Sequence, residues 1–360
     1  MQRSRRLGFR LLLLIGGSLF AVLMGEVTFR TLHREPSQGQ AWFAVDGPKV
    51  PPFELIYFMS SWPWMAQRQS LLQPRGWLPP GFQYRLGYEN AKWDYFDKDG
   101  AVTYRINSLG FRDLEFSVTK QPDEWRVLTL GDSFTMGWGV QLEGSWPQQL
   151  EQLLRKGRTG PCEVINGGFA TLSFTVGNAD RWVALEGLRF KPDVVIIGFC
   201  LNDCGQIPML SYPKVPNEAV LGSELLGELV HATKLRAAFS EQRDMSLIVK
   251  ADPGIWNETQ AGLQRLHTLL ETNGIPMLVA ILPMLSELGP KYPYAELHKM
   301  LRSFCATEHI HCLDLLPQFD GLDERSLWVH ETDQHPNEKG TRVIASGIAA
   351  WLAEAKLAGR

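Results

Sequence analysis

The strongest constraint on the fold is a rhythm that begins at Arg126. From there, short apolar runs alternate with segments of helical period almost to the end of the chain. Residues 127–130 read as a buried strand and 145–156 as a helix. Strand 162–166 precedes helix 175–188, and strand 194–199 follows. Helix 257–272 then leads to strand 276–282, helix 294–308 to strand 310–313, and a last helix spans about 337–355. The run Val194-Val-Ile-Ile-Gly-Phe199 is apolar without alternation, as expected of a parallel strand covered on both faces. Strands alternating with helices predict an α/β fold: a parallel sheet with helices on both sides. Hydrophobic residues at 44% and charged residues at 21% allow the large core such a sheet needs. A net charge of −3 leaves no basic field for nucleic acid, so that partner is not expected.

The rhythm divides the chain. Residues 126–360 form the regular domain, interrupted at 205–254 by an excursion far longer than the usual connection of about 2–6 residues. It leaves the carboxyl end of a strand, and within it 223–242 has a helical pattern; a lid, a partner surface and a neutral insertion are all compatible with it. Residues 31–125 have no clean period and carry nine prolines, with Trp42, Trp62, Trp64, Trp77 and Trp93 among them. Tryptophan is costly to leave in water, so this extension is expected to wrap the main domain; a sugar- or lipid-contacting surface is the alternative. Near its end, 95–106 reads as a hairpin turning at Asp99-Gly100, with Val102, Tyr104 and Ile106 alternating.

Residues 1–30 are different again. Arg3, Arg5, Arg6 and Arg10 precede an apolar run from Leu11 to Met24, closed by Glu26 and Arg30. A basic flank before an apolar run is either a signal peptide or a membrane anchor. The cleavage site is a poor match, so a transmembrane anchor is expected. The arginines then keep the N-terminus in the cytoplasm and place the rest of the chain on the extracytoplasmic, periplasmic side. The five cysteines are no disulfide scaffold; Cys305 and Cys312 are the best-placed pair for a single bridge. His309 and His311 alternate on a strand, but no third ligand is evident, so no metal and no cofactor are expected.

The chemistry lies at the strand ends. Gly131-Asp132-Ser133-Phe134 follows the first strand, Asn166-Gly167-Gly168 ends the second, Leu201-Asn202-Asp203 ends the third, and Asp333-Gln334-His335-Pro336-Asn337 precedes the last helix. In a parallel sheet these carboxyl ends converge on one edge, where such folds bind ligands. A serine hydroxyl needs a base to become nucleophilic, and imidazole suits neutral pH. A carboxylate fixes the imidazole tautomer and stabilises its cation. The Ser133 and Gly168 N–H groups and the Asn202 amide can supply three donors to an oxyanion. The short Asp-x-His spacing is expected to put Asp333 and His335 in one local turn. Taken singly, each block also reads as an ordinary turn or cap.

The four blocks in this order resemble those of the SGNH/GDSL hydrolases, across about 126–355. The stretch Ile106-Asn-Ser-Leu-Gly-Phe-Arg-Asp113 also resembles one found just upstream of the serine in membrane-anchored bacterial members. The resemblance implies a flavodoxin-like, three-layer α/β/α fold and hydrolysis of carboxylic esters, whether acyl lipids or acetylated sugars. It makes Ser133 the nucleophile, His335 the base and Asp333 its partner. It assigns the oxyanion hole to Ser133, Gly168 and Asn202, and Asp132 to bracing the turn. The commonest family spacing, Asp-x-x-His, falls here on Thr332, so Asp333 stands in by the shorter spacing. Two other readings use the same residues or the same fold: an O-acyltransferase acting on an envelope polysaccharide, and a noncatalytic glycan-binding scaffold.

Overall fold

A computed structural model describes residues 41–45, 49, 78–169, 176–204 and 253–357. All of these fall in one compact unit, Gly39–Ile207 with Asp244–Arg360. The expected membrane anchor, the tryptophans at 62, 64 and 77, and almost all of the 205–254 excursion lie outside the described residues. Among those described, no helix is long and apolar enough to cross a membrane.

The centre is a five-stranded parallel sheet. Its strands are β4 (Trp125–Gly131), β5 (Cys162–Gly168), β6 (Val194–Cys200), β7 (Met277–Leu282) and β8 (His311–Asp314), in the order β5-β4-β6-β7-β8. This is the doubly wound order in which the second strand lies outside the first. Every residue of β4, β6 and β7 is buried, which explains their unalternating sequence: both faces are covered. Helices α2 (Trp146–Gly157) and α6 (Glu338–Glu354) pack together on one face. There Trp146, Leu150, Ile344 and Ile348 meet Val127, Val164, Ile196 and Leu278. On the other side α3 (Val176–Leu185) packs against α4 (Pro253–Thr272), which reaches β7. Helix α5 (Ala295–Thr307) lies against β8. The parallel α/β architecture expected from the rhythm is therefore present. Each fully buried aliphatic side chain in these layers contributes about 1.5–3 kcal/mol by leaving water. Cys305 on α5 and Cys312 on β8 are free thiols, not a bridge.

A second, antiparallel sheet precedes the first: β1 (Ala41–Ala44), β2 (Gln83–Tyr88) and β3 (Ala101–Arg105). It corrects the expected hairpin in one respect. The turn at Asp99-Gly100 exists, but the arm that pairs with β3 is Gln83–Tyr88, so Tyr95 and Phe96 belong to the connection. The reason is Asp97. Its side chain accepts from the Asp99 and Ala101 N–H groups, and its carbonyl accepts from Gly100, closing a tight turn inside a longer loop.

The stretch 107–113 joins this hairpin to the main sheet. Asn107 Oδ1 accepts from the Leu109 and Phe111 N–H groups. Asp113 accepts from Gln148 Nε2 and from the Asn166 N–H on β5. Arg112, 1% exposed, donates to the Met136, Gly137 and Val140 carbonyls. A buried guanidinium is tolerable only with such partners, and these tie it to the loop beyond Ser133.

Candidate active site

Strand β4 ends at Gly131, and the chain turns at once into a one-turn helix, α1 (Ser133–Met136). Asp132 is its N-cap: its side chain accepts from the Phe134 N–H at 2.9 Å. Gly137 ends it in the left-handed region at φ 85°, where a side chain is disfavoured. Ser133 thus sits, half-buried, at the carboxyl edge of the sheet's first strand.

His335 arrives from the other end of the sequence. It lies on β10 (Asp333–Pro336), paired antiparallel with β9 (Trp328–His330). Asn337 anchors the exit of β10: its amide donates to the Ser326 and Trp328 carbonyls, and its oxygen caps α6 through the Lys339 and Gly340 N–H groups. Ser133 Oγ and His335 Nε2 are 2.8 Å apart. His335 Nδ1 is 2.5 Å from Asp333 Oδ1, which also accepts from the His335 backbone N–H at 3.0 Å. A carboxylate on Nδ1 fixes the proton there and leaves Nε2 to accept from the serine hydroxyl. The local turn expected for Asp-x-His is a strand instead. Residues i and i+2 of a strand share a face, so the short spacing still brings both side chains together.

The electrostatics follow from the neighbours. Burial pushes the His335 imidazole down, but the Asp333 charge, their hydrogen bond and the charge of Asp132 outweigh it, so His335 titrates above its ordinary 6.5. Burial favours the neutral form of Asp333. The His335 charge and hydrogen bonds, with one from Tyr88, overcome that and hold Asp333 well below the usual carboxylate range. The site stays accessible: the His335 side chain is 25% exposed and that of Asp333 15%. The Phe134 and Trp138 rings flank the imidazole at 5.2 and 5.7 Å.

The other expected residues are placed as follows. Gly168 ends β5 directly beside Gly131. A Cβ there would lie 2.1 Å from the Met136 backbone nitrogen, so the close packing of α1 on β5 requires glycine. Its N–H donates to Asn166 Oδ1 at 3.0 Å. Asn202 lies in the turn Leu201–Asp203 that follows β6. Asp203 is buried and accepts from the Cys200 N–H; burial, reinforced by the charge of Asp132, raises its carboxyl well above the usual range. His330 takes another arrangement. It hydrogen-bonds Thr332 Oγ1 and stacks on Tyr88. Among the described residues, no group of three or more His, Cys, Asp or Glu side chains could hold a metal ion.

Two residues at this edge were assigned no role by the motifs: Tyr88 and Trp138. Tyr88 and Trp138 both contact Asp333. Arg112, which donates to the loop beyond Ser133, lay in the stretch 106–113 that carries a resemblance of its own.

Comparison with known proteins places this edge within a family. The model described as "GDSL-like Lipase/Acylhydrolase family" matches residues 129–343. No curated protein matches the chain. Solved structures that resemble it include the psychrotrophic esterase EstA from Pseudoalteromonas sp., at 15% identity over 64% of this chain and 98% of that one, with a TM-score of 0.41. A variant of Axe2, an acetyl-xylooligosaccharide esterase from Geobacillus Stearmophilus, matches at 15% identity over 66% and 96%, TM-score 0.41. A two-domain esterase active on acetylated mannans matches at 16% identity over 65% and 50%, TM-score 0.41.

Proposed function

The chain belongs to the GDSL-like lipase/acylhydrolase family and is a hydrolase of ester bonds; on that premise we propose that it cleaves carboxylic esters through an acyl-enzyme on Ser133. The observation that carries this reading is the continuous chain of contacts from Ser133 Oγ through the His335 ring to Asp333. Ser133 Oγ attacks the ester carbonyl carbon as His335 Nε2 takes its proton. The negative charge that develops on the carbonyl oxygen faces the N–H of Ser133, which opens α1 and has no intrahelical acceptor. Asn202, at the edge of the neighbouring strand, is the candidate for a second donor. Gly168 is the third, provided its N–H shares itself between Asn166 Oδ1 and the oxyanion. Collapse of the intermediate expels the alcohol, which leaves with the proton held by His335. Water then attacks the acyl-enzyme while His335 accepts its proton, and the carboxylic acid departs. Asp333 remains ionised throughout and stabilises the imidazolium.

In this reading the substrate is an acylated sugar or an acyl lipid, and residues 1–30 hold the catalytic residues at the outer face of a membrane. Support for the anchor is the arginine cluster ahead of the apolar run at 11–24. Full-length protein should stay with the membrane fraction through an alkaline carbonate wash; release into the wash contradicts the anchor. The catalytic reading is tested by profiling free acid release from nitrophenyl esters of graded chain length, acetylated oligosaccharides and phospholipid. At least one class should be hydrolysed, and Ser133→Ala should abolish that turnover while the variant folds normally. Equal turnover by Ser133→Ala contradicts the proposal.

A further inference from the structure

The Asp333 carboxylate has two sides, and only one is explained by the triad. Oδ1 serves His335, accepting from its ring and its backbone. Oδ2 accepts from Tyr88 Oη at 2.7 Å and from Trp138 Nε1 at 3.1 Å. An ionised carboxylate offers about four acceptor positions, and here four donors occupy them. The outer torsion of aspartate is intrinsically broad. Short spacing on β10 therefore does not by itself fix the plane of the carboxylate. Donors on the far oxygen do.

Tyr88 is built to hold its hydroxyl still. It is the last residue of β2, 1% exposed, with its N–H donated to the Gly100 carbonyl. Its ring stacks on His330 at 5.1 Å and 17°, and meets the Phe96 ring at 68°. Burial, with the Asp333 charge beside it, pushes the phenol well above its ordinary value, so the hydroxyl keeps its proton and donates. Trp138 follows the left-handed Gly137 that ends α1. Its loop is clamped by Arg112 and by Tyr104, whose hydroxyl accepts from the Gly139 N–H at 2.6 Å. Residue 88 lies outside the family match at 129–343, so this donor comes from the hairpin that precedes the family domain.

We infer that Tyr88, with Trp138, is a positioning residue for the acid of the triad: the two fix Asp333 Oδ2 so that Oδ1 stays in line with His335. The inference rests on the proposed roles of Ser133, His335 and Asp333. In Tyr88→Phe the far oxygen loses a donor, the carboxylate plane is no longer held, and Oδ1 leaves its line with the ring, so the pair holds the imidazolium less tightly. The His335 midpoint then falls. The other titratable groups around the pair are Asp132, Tyr95, Tyr104, His330, Glu331 and Glu338, and the substitution changes none of them.

The experiment is NMR titration of the histidine side chains in the full chain, with His335 assigned by its absence in His335→Gln, alongside ester turnover. Tyr88→Phe and Trp138→Phe should each lower the His335 midpoint by about 0.5 pH unit or more. Each should lower kcat about tenfold, with KM within about twofold. Tyr84→Phe, which removes a buried β2 hydroxyl that has no hydrogen-bond partner among the described residues, should leave the midpoint in place. A folded Tyr88→Phe with unmoved midpoint and kcat overturns the inference. If Tyr88→Phe does not fold, an unmoved midpoint in Trp138→Phe overturns it. Full turnover by Ser133→Ala would remove the catalytic reading instead, while the His335 titration still decides the positioning claim.

Discussion

Two histidine–aspartate pairs in this protein begin with the same contact and end differently. His335 Nδ1 meets Asp333 Oδ1 at 2.5 Å, and His298 Nδ1 meets Asp314 Oδ1 at 2.8 Å. In the first, the other ring nitrogen faces Ser133 Oγ. In the second, His298 Nε2 is buried with no hydrogen-bond partner among the described residues, and the ring meets Tyr292 edge-on. The second oxygen of Asp333 is held by Tyr88 and Trp138, that of Asp314 by Arg302. The His335 side chain is 25% exposed, the His298 side chain 1%. An aspartate on an imidazole is therefore no sign of catalysis by itself. A hydroxyl on the far nitrogen and a partly exposed ring separate the pair proposed to react from the one that fastens α5 to β8.

The comparison breaks most visibly at the imidazoles. His335→Ala should lower kcat/KM by about 10^4-fold or more, since it removes the base from a unit that acts as a whole. His298→Ala should leave kcat/KM of the folded protein within about twofold. Its cost should appear in urea denaturation, as a stability loss of about 2–4 kcal/mol from an emptied buried site and the lost contact to Asp314. The reverse pattern would exchange the two roles.

The carboxylates sharpen the same contrast. Asp333→Asn should cost about 10^3–10^4-fold in kcat/KM through loss of the correct tautomer, and should move the acid limb of the pH profile down, since the charge that raises His335 is gone. Asp314→Asn should cost about 1–3 kcal/mol of stability with no movement of the profile.

The smallest effect is the position of that limb in the unaltered protein. The base must be neutral, and its folded pKa lies above the ordinary 6.5. Turnover should therefore fall as pH drops through a midpoint above 6.5. A midpoint at or below 6.5 would mean that burial outweighs the Asp333 charge.

The site was legible to the extent that its parts sit at strand ends. Ser133 and His335, 202 residues apart, could be placed together because a parallel sheet brings its carboxyl ends to one edge, and the strand periods locate those ends. The spacing of Asp333 could be read, but not its conformation, because Asp-x-His fits a turn as well as a strand. For Gly168 the sequence suggested a donor; in the fold its N–H also reaches Asn166 Oδ1, and its lack of a side chain serves packing. Tyr88 was beyond reach for a different reason. It stands in an alternating strand as any core aromatic does, and its partner is 245 residues away. The misplaced first arm of its hairpin had the same origin: Asp97 builds a local turn within a longer connection, and such turns mask the pairing outside them.

The central claim is that Ser133 is the nucleophile and His335 makes it one. Its most direct measurement is peptide mapping of the protein after brief exposure to a serine-directed fluorophosphonate. The account predicts a single adduct on the peptide bearing Ser133, and loss of that labelling in His335→Ala. An adduct on another residue, or labelling of Ser133 undiminished without His335, would contradict it.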